Sequence, residues 1–140
     1  MGVLVLIYIA APWRDKELMP DIATKFEQAG HQITHKWWLV EDTPESERNF
    51  DLLQAQAGLD FCGVEAANFL ILINSAKSEG KAVEQGIALG LGKSIIAIGK
   101  LGAHSKNVFH YMSNYTWVDT ITDALKVLET NDNYNYWEVL

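Results

Sequence analysis

The chain has 140 residues, of which 49% are hydrophobic and 21% charged, and its formal net charge at pH 7 is −7. This composition is typical of one soluble globular domain covering residues 1–140. An acidic chain of this kind is a poor partner for nucleic acid, whose phosphates attract basic surfaces. The single cysteine, Cys62, excludes an internal disulfide framework and a cluster of thiolate metal ligands.

The first apolar run, VLVLIYIA at 3–10, is too short to span a bilayer, and no basic segment precedes it. We therefore expect a buried strand here and no membrane partner. Since no targeting segment is visible, we also expect a cytoplasmic protein.

Strand-like runs alternate with helical patterns along the whole chain. The predicted strands cover, in chain order, 3–10, 31–38, 68–74, 94–99 and 115–119. The predicted helices cover 15–30, 41–67, 80–91, 106–112 and 120–131, and an aromatic tail at 132–140 is expected to pack on its own chain or a neighbour. Because most of the strands are continuous apolar runs, we expect both of their faces to be covered. The alternation predicts an α/β three-layer sandwich with a five-stranded parallel sheet, flavodoxin-like or Rossmann-like.

In sheets of this type the ligand binds beside the carboxyl ends of the strands, near the point where strand order reverses. The segments in that position are APWRDK (11–16), NSAKSEG (74–80) and GKLGAHSKN (99–107). The second of them opens the helix that carries Glu84, and a helix N-terminus offers free N–H groups and positive partial charge to an anion. The pattern indicates a pocket for an anionic, sugar-sized ligand that Glu84 faces.

The candidate residues near this pocket are Glu84, Ser78, Asp60 and Tyr8. Each of them also has an ordinary structural explanation. The helix dipole favours an acid such as Glu84 in the first turns, and Ser78 is a good N-cap. Asp60 fits the solvated face of an amphipathic helix. Tyr8 fits a buried strand in which the core satisfies its hydroxyl.

Other site patterns are missing or misplaced. His31 and His35 have the spacing of a metal pair on a helix, but their segment is predicted as a strand, so a zinc site is not expected. The sequence GLGK (90–93) closes a helix and lacks the P-loop spacing. Dinucleotide binding and serine-hydrolase chemistry have no support, because neither glycine motif is present.

Four segments together resemble the nucleoside 2-deoxyribosyltransferase family, which includes the 2′-deoxynucleoside 5′-monophosphate N-hydrolases: YIAAPW (8–13), DFCGVEAANFLILI (60–73), SEGKAVEQGIALGLGKSIIAIG (78–99) and SKNVFHYM (105–112). The resemblance implies that Glu84 is a nucleophile towards C1′ of the sugar, that Tyr8 orients it, and that Asp60 protonates the departing base. It further implies no metal, no organic cofactor, a small-molecule nucleoside or nucleotide as partner, and a homodimer or larger homo-oligomer.

By the same resemblance, six residues bind the substrate: Ala10, Trp13, Arg14, Ser78, Gly80 and Asn107. Ser78 and Arg14 stand where the hydrolases bind phosphate, which favours a 5′-monophosphate. Pro12 stands where the hydrolase loop has a serine, and it favours the transferases instead. The resemblance therefore leaves open whether a base or water accepts the sugar in the second step of the reaction. Asn107 is also a possible N-cap of a short helix. A nucleotide-binding or sensing module without turnover is the alternative from another functional class.

Overall fold

The structure is a computed structural model that describes residues 4–40 and 44–139, without the side chains at positions 45 and 131–139. Five strands are formed: β1 (Leu6–Ala10), β2 (Gln32–Ile33), β3 (Phe69–Ile73), β4 (Ser94–Ile98) and β5 (Tyr115–Val118). Four α-helices accompany them: α1 (Met19–Gln28), α2 (Phe50–Ala66), α3 (Glu79–Gly90) and α4 (Ile121–Val139). Short 3₁₀ helices occupy Trp13–Leu18, Trp37–Leu39, Glu45–Glu47 and Val108–Tyr111.

All five strands run parallel, in the order β2-β1-β3-β4-β5. The register pairs Tyr8 with Leu70 and Ile71 with Ile96 at the buried centre of the sheet. The order reverses between β1 and β3, so the carboxyl ends of these two strands flank a crevice. The predicted five-stranded parallel α/β sandwich is confirmed.

Helices cover both faces of the sheet, which explains why β1, β3 and β4 read as continuous apolar runs. Helix α1 buries Met19, Ala23 and Phe26, a stripe with helical spacing. Helices α2 and α3 contact one another and β1, while α4 contacts β4 and β5. Burial of each large apolar side chain stabilises the fold by roughly 1.5–3 kcal/mol relative to exposure. Within the described residues, every helix is too short or too polar to cross a membrane.

Local signals fix several helix ends as expected. Gly30 follows α1 with a φ of 95°, the left-handed region that favours glycine. Thr120 accepts a hydrogen bond from the amide of Asp123 at 3.1 Å and so caps α4. Pro20 occupies the first turn of α1, where its missing N–H has no helical partner to lose.

Two boundaries differ from the sequence-based expectation. The predicted strand 31–38 is reduced to Gln32–Ile33, because Trp37 turns inward and donates from Nε1 to the carbonyl of Ile9 at 2.7 Å. The last helix continues to Val139 instead of ending at residue 131. The predicted packing of the aromatic tail lies outside the described side chains.

Candidate active site

A tyrosine of the central sheet and a glutamate of the helix above it are hydrogen-bonded. Tyr8 lies on β1, fully buried, and its hydroxyl donates to Oε2 of Glu84 on α3. Burial raises the pKa of Glu84 to about 7; the charge of Asp60 adds to the rise, and the bond from Tyr8 opposes it. Burial, followed by the charge of Glu84, raises the pKa of Tyr8 as well. The hydroxyl therefore stays protonated and remains a donor.

A second carboxyl group approaches this pair from α2. Asp60 Oδ1 lies 3.3 Å from Nε2 of His35, which follows β2. Burial raises the pKa of Asp60, while the charge and hydrogen bond of His35 oppose that rise. The spacing of His35 from His31 suggests only a metal pair, so the contact of His35 with Asp60 is not predicted from the sequence. No local pattern connects positions 35 and 60, and the fold alone brings them together.

Gly63 sets how closely α2 approaches β1. A Cβ atom at this position would lie 2.9 Å from Cδ2 of Tyr8 and 2.8 Å from Cβ of His35. The carbonyl of Gly63 also accepts a hydrogen bond from Oγ1 of Thr34 at 2.7 Å. Because Asp60 lies one helical turn before this contact, the glycine brings its carboxyl group close to the Tyr8–Glu84 pair.

Asp60, His35 and Glu84 line one cavity of about 560 Å³, a size usual for small-molecule sites. Its lining comes from α2, from an aromatic wall and from the N-terminal turn of α3. The cavity lies at the carboxyl edge of β1 and β3, where strand order reverses.

Two tryptophans form the aromatic wall. Trp37 is buried and anchored through Nε1 to the backbone of Ile9. Trp13 is 46% exposed, and its ring centroid lies 5.9 Å from that of Trp37. Nζ of Lys16 sits 4.7 Å from the Trp13 ring centroid, a cation–π contact. A held indole with an accessible surface is suited to stacking on a flat ligand.

The N-terminal turn of α3 combines the free N–H groups of a helix start with a buried lysine. Ser78 caps the helix by accepting from the amide of Lys81 at 3.3 Å, and a Cβ atom at Gly80 would meet Oγ of Ser78 at 4.0 Å, an ordinary contact distance. The Lys81 side chain is only 4% exposed, and its ammonium donates to the carbonyls of Ile73, at 3.4 Å, and Ala76. No carboxylate of the described residues forms an ion pair with Lys81. Burial lowers the pKa of this ammonium.

The predicted site residues fall into two groups. Those that line the cavity are Trp13, Asp60, Ser78, Gly80 and Glu84, with Tyr8 bonded to the last of them. Ala10 is buried at the end of β1, and Asn107 caps a 3₁₀ helix by accepting from the amide of Phe109 at 3.0 Å. The Arg14 side chain is 65% exposed and donates to the carbonyl of Ser75 at 2.9 Å. The catalytic and substrate-binding roles of all nine predicted residues stay predictions.

Proteins of known structure share this fold. The CMP N-glycosidase BcmB from Clostridium botulinum has a TM-score of 0.60 and 19% sequence identity, over 89% of this chain and 98% of that chain. A conserved protein from Enterococcus faecalis V583 has a TM-score of 0.66 and 14% identity, over 92% of this chain and 99% of that chain. No model of a protein family and no curated protein matches the sequence. The shared fold agrees with the resemblance that the sequence motifs carry.

Proposed function

We propose that the protein cleaves the N-glycosidic bond of a 2′-deoxyribonucleoside 5′-monophosphate, or of the nucleoside, through a covalent glycosyl intermediate on Glu84. The observation that carries this proposal is the bond from the buried Tyr8 hydroxyl to Glu84, in a cavity that Asp60 also lines. Two carboxyl groups in different surroundings are what acid-assisted glycosidic cleavage requires. The similarity in fold to an enzyme described as a CMP N-glycosidase supports the same class of reaction.

In the first step an oxygen of Glu84 attacks C1′ of the sugar. The bond from C1′ to the base nitrogen breaks, its electron pair goes to the base, and Asp60 delivers a proton to that base. In the second step water or another base attacks C1′, and the bond to Glu84 breaks. Asp60, now a carboxylate, receives the proton that the acceptor loses.

Two interactions favour this division of roles against the burial that raises the pKa of Glu84. The donated bond from Tyr8 stabilises the ionised form of Glu84 and so favours the nucleophilic state. Protonation of Asp60 removes a negative charge that adds to the rise, so Glu84 ionises more readily beside a protonated Asp60 than beside a carboxylate.

The positive end of α3 supports a 5′-monophosphate as the preferred substrate. The helix rises about 6 Å between Gly80 and Glu84, a separation that one pentose phosphate can bridge. A phosphate at the N-terminal turn would receive backbone N–H groups and gain the nearby ammonium of Lys81 as a counter-ion. The base would then lie between Trp13 and α2, beside Asp60.

The test is a product assay with the four common deoxynucleoside 5′-monophosphates, their nucleosides and CMP, each with and without a second free base. Free base with deoxyribose 5-phosphate identifies hydrolysis, and exchange of the base identifies transfer. CMP tests whether the sugar pocket accepts a 2′-hydroxyl group. The Glu84→Gln variant is expected to release no base, whereas Glu65→Gln, at an exposed position of α2 outside the cavity, is the matched control and keeps wild-type turnover. Binding without turnover by the wild-type protein would overturn the enzymatic proposal and identify a sensing module.

A further inference from the structure

We infer that Gln56 contacts the nucleobase and sets which bases the protein accepts. Gln56 lies on α2 one helical turn before Asp60, and it lines the cavity. The inference rests on the proposed function, since it takes a nucleobase to lie beside Asp60.

Gln56 shares its face of α2 with two leucines and Asp60. Leu53, Gln56, Leu59 and Asp60 line the cavity, and their spacing is that of one helical face. The side chain of Gln56 is half-buried, and within the described part of the chain it has no hydrogen-bond partner. An amide that a bound base covers is costly to desolvate unless that base supplies its partners.

Three other polar side chains around the cavity already have hydrogen-bond or ion-pair partners in the protein. Asp60 pairs with His35, Glu84 accepts from Tyr8, and the ammonium of Lys81 donates to two carbonyls. Among these four side chains, Gln56 is therefore the one whose amide has no partner within the described residues and can bond to a ligand.

The position of Gln56 also matches the chemistry of a base. If Asp60 reaches the base atom that accepts the proton, a side chain one turn away on the same face reaches the neighbouring edge. That edge carries the exocyclic amino or keto group of a purine or pyrimidine. A glutamine amide offers a donor and an acceptor side by side, the arrangement that recognises an amino group next to a ring nitrogen. When a base covers the amide, an analogue without the exocyclic group leaves it unpaired and shielded from water.

The experiment compares bases that differ only at that edge. The probes are two pairs of deoxynucleoside 5′-monophosphates, one with adenine and unsubstituted purine, the other with cytosine and 2-pyrimidinone. Dissociation constants are measured by calorimetry on the Glu84→Ala protein, and kcat/KM on the protein with Glu84 intact. The substitution Gln56→Met keeps the length of the side chain and removes its hydrogen bonds. Gln54→Met, on an exposed position of the same helix outside the cavity, is the matched control.

With Gln56 present, we expect the base with its exocyclic group to be preferred by about tenfold or more in at least one pair. Gln56→Met should reduce that ratio to near one, and Gln54→Met should leave it unchanged. An equal loss for both members of each pair, or a ratio that Gln56→Met does not change, would overturn the inference, as would failure of all four probes to bind. Selective binding without release of base would instead refute the proposed reaction and leave the role of Gln56 in recognition supported.

Discussion

The buried hydroxyl of Tyr8 and the carboxylate of Glu84 are hydrogen-bonded although 76 positions separate them in the sequence. The contact forms because β1 lies beside β3 and α3 follows β3 directly, so the helix starts above the end of β1. The ionisation of one residue therefore depends on the presence of the other.

Removal of the tyrosine hydroxyl should raise the pKa of Glu84, because the bond from Tyr8 lowers it. For Tyr8→Phe we expect the ascending limb of the pH–kcat profile to move to higher pH and the rate near pH 6 to fall by roughly tenfold or more. Tyr115→Phe is the control, since its hydroxyl bonds to Gln85 away from Glu84. An unchanged ascending limb in Tyr8→Phe would show that the bond does not govern the reacting carboxylate.

The raised pKa of Glu84 also predicts a pH-dependent change in stability. Between pH 4.5 and about 7 the folded protein holds a proton on Glu84 that the unfolded chain has lost, so the free energy of unfolding falls as pH rises through this window. The contribution is fully present below 4.5 and is lost above about 7. Glu84→Gln should therefore be more stable than the wild type at pH 8.5, by up to on the order of 3 kcal/mol, with no gain at pH 4. Urea midpoints at the two pH values measure the difference, and an equal effect at both would contradict it.

Loss of His35 should affect the descending limb of the pH–kcat profile. His35 holds down the pKa of Asp60 against the effect of burial. In the proposed reaction Asp60 has to be protonated to assist the base, so activity is expected to fall as pH rises through its pKa. In His35→Ala that descending limb should move to higher pH, while His104→Asn, an exposed loop position, should leave it in place. A shift to lower pH would rule out this assignment.

Two glycines of α2 provide a matched pair for packing. Gly63→Ala forces a methyl group against Tyr8 and His35, and we expect a loss of roughly 1–3 kcal/mol in unfolding free energy together with reduced turnover. Gly58→Ala meets no atom within 4 Å and should stabilise the helix by roughly 0.5–1 kcal/mol. Denaturation of both variants, with activity measured in parallel, tests whether the close approach at residue 63 supports the site.

The proposed preference for a 5′-monophosphate can be tested at two cationic side chains, Lys81 and Arg14. Lys81→Met should raise KM for the 5′-monophosphate by roughly tenfold or more and change nucleoside use far less. Arg14→Ala is expected to act in the same direction if its guanidinium turns to the phosphate when substrate binds. Equal losses for nucleotide and nucleoside in either variant would assign that residue to maintenance of the loop at 73–76, which both side chains contact.

The sequence was sufficient for the fold because β1, β3 and β4 are continuous apolar runs between helical patterns. The predicted strand at 31–38 is longer than β2, since the apolar residues Trp37 and Trp38 continue the strand-like pattern. What ends the strand is a hydrogen bond from Trp37 to β1, a tertiary contact that a local pattern does not encode.

The same limit applies to the candidate site. The places of Glu84, Asp60 and Tyr8 in the predicted fold make them candidates, the family resemblance implies their roles, and the structure brings them together. His35 and Gly63 were missed, because each matters only through residues at least 25 positions away. A solitary histidine or a glycine inside a helix carries no periodic signal that would single it out.

The half-exposed indole of Trp13 gives the protein a built-in optical probe. Its ring borders the cavity, so an aromatic ligand stacked on it should quench or shift its fluorescence. Occupancy can then be followed by emission titration without a label, and Trp13→Phe identifies the part of the signal that comes from this ring.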